Sequence, residues 1–313
     1  MASKPIATTF NVPAERHAPS AFWRLVLDYW VLTKPEVNFL IVITTFAGFY
    51  LGCSSTWGNF PIALAAHAVL GTLLVASGTG TLNQYIERNF DSQMRRTARR
   101  PLASGRLRPA SVLWFGIALS VIGSVYLALA VNILSSLLAV ATLLSYLFLY
   151  TPLKRKTPLC TLIGAFPGAM PPLIGWAAAS GRLSPEAWTL YGVLFLWQFP
   201  HFMAIAWMYR EDYARAGYLV LPRGSEEQMS FVNRQTLLPL LALLPVTLLP
   251  FFACRATTLY YILASLLSSG FLHYGAQFVL RRSSSAARRL LAASIFYLPL
   301  LFVLMVISRA SRI

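Results

Sequence analysis

Charged residues are scarce in this 313-residue chain, where Asp, Glu, Lys and Arg together make up 12%. Apolar residues make up 57%, and the mean hydropathy is +0.61. Because soluble domains carry about a quarter charged residues, this composition excludes an ordinary water-soluble globular protein. It is typical of an integral membrane protein.

Cysteine is scarce as well, with three residues at positions 53, 160 and 254. Their spacing matches no thiolate metal site, which excludes a zinc or iron–sulfur centre of the usual kind. Cys53 and Cys254 fall near the same predicted membrane face and could pair. Isolated cysteines in apolar surroundings are, however, more often packing residues.

The first twenty residues lack an apolar core, so we expect no cleaved signal peptide. Beyond them, nine apolar runs approach the ~20 residues that a helix needs to cross a bilayer. They cover residues 36–54, 61–82, 110–130, 132–150, 161–180, 186–207, 235–254, 257–280 and 290–308. Residues 22–32, with Trp23 and Trp30, predict a short helix lying in the membrane interface.

The predicted fold is all-α, a polytopic membrane bundle of about nine transmembrane helices around a central cavity. Residues 1–35 form an N-terminal segment with the interfacial helix, residues 36–308 the membrane domain, and residues 309–313 a short tail. Two polar loops, 83–109 and 208–234, carry the acidic motifs. All of these segments are read from the hydropathy and charge pattern.

Basic residues divide unevenly between the two predicted faces. The N-terminal side carries 22 of the 26 Lys and Arg residues, and the far side carries the other four. Positive residues favour the cytoplasmic side, so we expect a cytoplasmic N-terminus in the inner (cytoplasmic) membrane. The net charge of +16 is then an orientation signal with some contact to anionic lipids, and no nucleic-acid partner is expected.

Acidic residues number only ten, and the first polar loop holds two of them in the segment NQYIERNFDSQMRRTARRP. Asn83, Glu87 and Asp91 recur every fourth residue, so on a helix they share one face. An amide and two carboxylates suit Mg²⁺, which also keeps water or phosphate ligands. The segment then supplies guanidinium groups that suit phosphate oxygens, at Arg95, Arg96, Arg99 and Arg100.

The second polar loop carries Glu211 and Asp212 at the end of a predicted span, four spans later. An even number of spans returns the chain to the same face, so the two acidic regions could meet and hold metal ions between them. The alternative is that both are ordinary solvated loops. Their joint occurrence on one face favours the shared site.

Several single residues have two interpretations. His201 follows Pro200 near the end of a span, where it could ligate haem iron or assist proton transfer, or simply pack at the interface. Lys34 and Lys154 are either topology anchors or members of the site. Gly164 and Gly168 favour close helix packing, while the neighbouring prolines could open the backbone beside a cavity.

Four motifs together resemble the UbiA-type intramembrane prenyltransferases: NQYIERNFDSQMRRTARRP, YTPLKRKTP, GAFPGAMPPLIGWAA and WQFPHFMAIAWMYREDYARAG. The likeness is closest to members that use haem B as the acceptor, and it runs from about Thr33 to Pro222. It implies transfer of farnesyl from farnesyl diphosphate to a haem vinyl group, with haem A synthase or a terminal oxidase downstream.

The resemblance also implies residue roles. Magnesium-complexed diphosphate would bind at Asn83, Glu87, Asp91 and Asp212, and basic side chains would hold the diphosphate at Lys34, Arg96, Arg100 and Lys154. The chain departs from the family pattern at Glu87, where aspartate is common, at Ala216, where a further acid is usual, and at Cys160, where asparagine is expected. Either Glu211 would substitute for the missing acid, or a second metal ion would be held more loosely.

Two rival functions remain from the sequence. A related enzyme would prenylate a quinone-precursor ring, and the acceptor pocket distinguishes it. A transporter would carry ionisable groups near the bilayer midplane, whereas here the acids lie at one membrane edge.

Overall fold

The computed structural model describes residues 20–54, 59–249 and 257–310, and every regular element in these ranges is helical. The first half contains α1 to α6, which span Ala21–Leu32, Pro35–Gly52, Ile62–Asp91, Pro109–Ala130, Ile133–Leu144 and Thr151–Leu153. A π-helical turn, Ser145–Tyr150, joins α5 to α6. The second half contains α7 to α13, which span Cys160–Gly168, Met170–Ser180, Pro185–Met208, Arg210–Arg215, Ser225–Leu248, Thr258–Arg281 and Ser284–Ala310.

Within the described ranges, nine helical segments are long and apolar enough to cross a membrane. The predicted membrane bundle and its order of spans are therefore confirmed. Two spans are composite: Ile133–Leu153 runs through the π-helical turn, and Cys160–Ser180 joins α7 to α8. The proposed partner Cys254 lies outside the described residues, as do residues 1–19 and 311–313.

Several helix bounds differ from the hydropathy estimate. Helix α3 continues to Asp91, so the first acidic motif is the end of a helix and the loop begins at Ser92. Helix α11 begins at Ser225, ten residues before the predicted apolar run. Polar residues at a helix end extend past the apolar stretch, and a hydropathy window does not detect them.

Small residues bring the central helices into close contact. A Cβ at Gly175 of α8 would overlap the Thr45 carbonyl of α2, and a Cβ at Gly78 of α3 would overlap Ser120 of α4. Gly164 faces the Tyr150 ring, and Gly168 faces Gln198. The expected packing role of the two last glycines is thus borne out, and the chain turns between α7 and α8 at Ala169.

The interfacial segment forms a helix as predicted. Ser20 caps α1 by accepting a hydrogen bond from the Trp23 amide at 3.5 Å. Phe22, Trp23 and Trp30 are exposed, while Leu32 is buried against Leu102 and Leu107 of the loop after α3. Helix α1 therefore packs beside the arginine-rich loop (residues 92–108) and presents aromatic rings outward.

Candidate active site

The last two turns of α3 form a row of buried polar side chains. Asn83, Glu87 and Asp91 expose only 1%, 5% and 2% of their surface. Because their spacing is four residues on one helix, the three groups follow one another along the same face. Buried charges require partners, and each group has one.

Each partner is a cation from a different part of the chain. The Lys34 Nζ donates to Asn83 Oδ1 at 2.7 Å, and the Lys154 Nζ donates to Glu87 Oε1 at 2.9 Å. A guanidinium nitrogen of Arg100 donates to Asp91 Oδ2 at 2.6 Å. Three parts of the chain thus converge on α3: the junction of α1 and α2, the segment after α6, and the arginine-rich loop. We call these three contacts the acid–cation row.

Lys34 is held in an unusual backbone conformation with φ of 55°. A non-glycine residue at positive φ is uncommon and indicates a constrained position. Burial lowers the pKa of Lys34 to about 7, and repulsion from Arg100 and Lys154 adds to the effect. A lysine of this kind gains strongly from the arrival of a further anion.

The pKa of Lys154 is raised, in contrast to that of Lys34. Burial lowers its pKa, but the adjacent Glu87 carboxylate outweighs burial and holds the pKa well above the usual value. The ammonium also lies 4.6 Å from the centre of the Tyr150 ring, and such cation–π contacts favour the charged form. Lys154 therefore stays protonated.

Oxygen atoms remain available on the acid–cation row. Lys154 uses only Oε1 of Glu87, and Arg100 uses only Oδ2 of Asp91, so each carboxylate has a second oxygen that its cation does not occupy. Two carboxylate oxygens on one face fit a Mg²⁺ ion that keeps water or phosphate ligands. The donor chemistry of α3 is therefore compatible with the predicted metal.

The second acidic region lies on α10 and is more exposed. Asp212 pairs with Arg215 at 3.1 Å, and its side chain is 13% exposed, whereas the Glu211 side chain is 83% exposed. Within the ranges the structure describes, no three His, Cys, Asp or Glu residues lie close enough to hold one metal ion. The predicted metal set of Asn83, Glu87, Asp91, Glu211 and Asp212 is thus not assembled here and stays a prediction.

The two polar loops nevertheless meet. Arg96 donates to the Tyr213 hydroxyl at 3.4 Å and lies 5.0 Å from the centre of the Tyr209 ring. Met94 packs with Ala216 and Tyr218 in a small apolar cluster. The adjacent Arg95 is exposed and has no partner among the described residues, so the structure favours Arg96 over Arg95 as a bridge.

His201 lies on α9 and contacts α13. Its Nδ1 is 2.8 Å from the Ser294 hydroxyl, which donates to the Leu291 carbonyl at 2.6 Å. Because the hydroxyl has a single proton, Nδ1 is assigned as the donor and Nε2 keeps a free lone pair. Trp197 stacks on the ring at a centroid distance of 4.7 Å, which fixes its orientation.

Some site residues give no signal in the sequence. Thr151 accepts a hydrogen bond from the Asn83 side-chain amide at 3.2 Å and donates to the Tyr146 carbonyl at 2.9 Å. The Leu219 amide donates to the Lys154 carbonyl at 2.7 Å, which ties the second polar loop to the segment after α6. The Asn83–Thr151 and Leu219–Lys154 contacts join residues far apart in the sequence. Thr151 lies within one of the four motifs, whereas Leu219 lies just beyond another.

A cavity of about 390 Å³ adjoins the acid–cation row, and we call it the side cavity. It lies between the end of α3 and the residues that follow α6. Its lining includes the buried residues Glu87 and Tyr218 and the exposed residues Arg155 and Lys156. Its size is in the range of small-molecule sites.

The model of the UbiA prenyltransferase family matches residues 41–302, and this chain belongs to that family. Solved structures share its fold. A digeranylgeranylglyceryl phosphate synthase matches with a TM-score of 0.73 at 17% identity, over 92% of this chain and 99% of that one. A UbiA homolog from Archaeoglobus fulgidus, bound to GPP and Mg²⁺, matches with a TM-score of 0.61 at 17% identity, over 89% and 99%.

Curated relatives are more similar in sequence. The protoheme IX farnesyltransferase of Solibacter usitatus is 48% identical over 288 residues, which cover 90% of this chain and 98% of that protein. The protoheme IX farnesyltransferase of Koribacter versatilis is 42% identical over 292 residues, which cover 91% and 94%. The family resemblance of the four motifs is thereby confirmed.

Proposed function

We propose that this chain transfers a farnesyl group from farnesyl diphosphate to a vinyl group of haem B, giving the hydroxyethylfarnesyl side chain of haem O. Nearly full-length similarity to protoheme IX farnesyltransferases carries this proposal. The acid–cation row supports it independently, because it combines partly buried cations with buried carboxylates, the groups that a metal–diphosphate complex needs.

The diphosphate would bind across the acid–cation row. Arg96, Lys34, Lys154 and Arg100 would contact its oxygens, and Arg95 would add charge at the entrance. Asn83, Glu87 and Asp91 would hold Mg²⁺, with Asp212 and Glu211 contributing from the second polar loop. A magnesium ion there would withdraw charge from the departing diphosphate.

The reaction begins when the bond between farnesyl C1 and the diphosphate oxygen breaks, and the electron pair leaves with the diphosphate. Fixed cations stabilise this developing negative charge without reorganising. The vinyl π electrons then form the new carbon–carbon bond. Water adds to the resulting cation and loses a proton, so the site must exclude water early and admit it late. His201 and Tyr209 remain candidates for directing that water.

Orientation follows from the charge distribution. We place the N-terminus and the two polar loops in the cytoplasm and the bundle in the inner membrane, because 22 of 26 basic residues fall on that side. The product would then pass to haem A synthase or to assembly of a terminal oxidase.

The decisive test is product analysis with purified protein. Haem B, farnesyl diphosphate and Mg²⁺ should together yield a farnesylated, hydrated haem detected by mass spectrometry, and removal of Mg²⁺ with a chelator should stop its formation. A quinone precursor offered in place of haem B should not be prenylated. Prenylation of that precursor with haem B unchanged would refute the acceptor assignment.

Arg96→Ala should raise the KM for farnesyl diphosphate and leave the KM for haem B unchanged. One lost charge-assisted hydrogen bond is worth about 1.5 to 3 kcal/mol, which corresponds to roughly tenfold to a hundredfold. Arg95→Ala is the matched control and should have a smaller effect, since Arg95 is exposed and forms no ion pair or hydrogen bond with the described residues. A rise confined to the KM for haem B would contradict the assignment of Arg96.

Asp212→Asn should reduce turnover far more than Glu211→Gln. Asp212 is largely covered, whereas Glu211 points into solvent at the same helix end. Steady-state rates at a series of Mg²⁺ concentrations would measure the difference. Equal losses for the two variants would instead indicate that both acids share the metal.

A further inference from the structure

The buried part of the cavity lining is polar and carries no net charge. Glu87 is 5% exposed and is neutralised by Lys154. The Tyr218 side chain, which is 6% exposed, lies beside the Glu87 carboxylate. A polar group of an acceptor that reaches this part of the cavity would therefore find a hydroxyl and a paired carboxylate.

The exposed part of the cavity lining is cationic. Arg155 and Lys156 are both exposed, and neither side chain forms an ion pair or hydrogen bond with the described residues. The Arg155 guanidinium lies 4.1 Å from the centre of the Phe90 ring. Stacking of this kind fixes the plane of the group and leaves its N–H edge free for a carboxylate.

Apolar side chains complete the lining of the side cavity, with Ile86 and Phe90 from α3 and Pro152 from α6. A flat apolar molecule with anionic groups along one edge matches this arrangement, since its body would contact the walls and its anions the two cations. Haem B has that chemistry, with two propionates on one edge and its vinyl groups away from them.

We propose that the side cavity binds the acceptor, with Arg155 and Lys156 holding the two propionates at its mouth and the vinyl edge directed towards Glu87. This inference rests on the proposed function and names its acceptor subsite. It explains how the reacting vinyl group would meet the farnesyl diphosphate on the acid–cation row. It also assigns a specificity role, because an acceptor lacking the paired carboxylates would lose both contacts.

The competing explanation is that Arg155 and Lys156 are membrane anchors at the cytoplasmic surface, as basic residues often are. If the two residues are membrane anchors, the kinetic defect of their variants should depend on the charge of the lipid. If they bind the propionates, the defect should depend on the charge of the acceptor. The two explanations therefore predict different dependences that can be measured on the same variants.

The test measures KM while the charge of the protein and the charge of the acceptor are each removed, separately and together. Wild type and the double variant Arg155→Gln, Lys156→Gln are compared with haem B and with haem B dimethyl ester, whose propionates are uncharged. With haem B, the KM should rise about fivefold to tenfold in the variant, since partly exposed pairs contribute modestly, and the KM for farnesyl diphosphate should not change. With the ester, wild type and variant should have the same raised KM.

Three controls keep the outcome unambiguous. Arg289→Gln removes an exposed charge elsewhere on the basic side and should behave as wild type. Arg155→Lys, combined with native Lys156, retains both charges and should recover most of the affinity. Nanodiscs of pure phosphatidylcholine and of phosphatidylcholine with phosphatidylglycerol should give the same kinetic defect.

Specific results overturn the inference. Equal KM values of the wild type for haem B and for its ester would do so. A raised KM of the double variant seen only in the anionic nanodiscs would also do so. If instead the wild type makes no product from haem B at all, the proposed function itself fails. If the double variant does not purify as a monodisperse protein, the two single glutamine variants carry the same comparison.

Discussion

Asp91→Asn should abolish turnover and leave the protein folded. Asp91 is 2% exposed, pairs with Arg100 at 2.6 Å and keeps one oxygen free on the acid–cation row. Asparagine preserves the volume but removes the charge, so the loss falls on metal and diphosphate binding. We expect turnover to drop roughly a hundredfold or more, as when a preorganised electrostatic group is removed.

The folded state should tolerate this change. The Asp91 backbone carbonyl still accepts the Thr97 hydroxyl at 2.8 Å, and the Arg100 side chain, 23% exposed, can turn towards solvent. Asp28→Asn is a matched control, because Asp28 pairs with Arg106 outside the acid–cation row. Size-exclusion profiles and thermal midpoints would check folding beside the rate. Normal turnover of Asp91→Asn at saturating Mg²⁺ would remove Asp91 from the site.

His201→Ala tests a haem contact separate from the side cavity, which His201 does not line. If the imidazole ligates the haem iron, haem binding should fall while binding of farnesyl diphosphate with Mg²⁺ stays nearly intact. The imidazole has the arrangement of a metal ligand, with Nδ1 hydrogen-bonded to Ser294 and Nε2 free. Such a second partner orients a ligating histidine, and its removal commonly costs about 10- to 100-fold in metal affinity. Ser294→Ala should therefore weaken haem binding as well, by less than His201→Ala.

Haem absorption titrations of the detergent-solubilised variants would measure this effect, run beside direct binding of farnesyl diphosphate. His273→Ala is the control, since His273 is exposed on α12 and bonded only to Gln277. An unchanged haem spectrum and affinity in His201→Ala would assign the residue to packing alone. A small loss of thermal stability would then be its main consequence.

The sequence predicts the elements that depend on local pattern. The four-residue spacing of Asn83, Glu87 and Asp91 places them on one face as soon as the helix continues, and α3 does continue to Asp91. The order of the membrane spans follows from apolar runs of sufficient length. Both properties are set by residues close together in the chain.

Partners distant in sequence are harder to predict. Nothing in the pattern pairs Lys34 with Asn83 or Lys154 with Glu87, because those contacts span 49 and 67 residues and depend on how helices pack. The sequence likewise does not predict that Asp212 is largely covered and Glu211 exposed. The exposure of these adjacent acids depends on how α10 packs against the rest of the protein. Identification of Lys34 and Lys154 as site residues came from family resemblance.

The π-helical turn at Ser145–Tyr150 determines where Lys154 points. A π-helical turn corresponds to one extra residue within an α-helix, and each residue rotates the following side chains by about 100°. Shortening this turn by one residue would restore an ordinary helix and carry Thr151 and Lys154 out of phase with Asn83 and Glu87. The number of residues between Ser145 and Lys154 therefore fixes the direction of the Lys154 side chain. An insertion or deletion there would disturb the site even though it replaces none of the site's chemical groups.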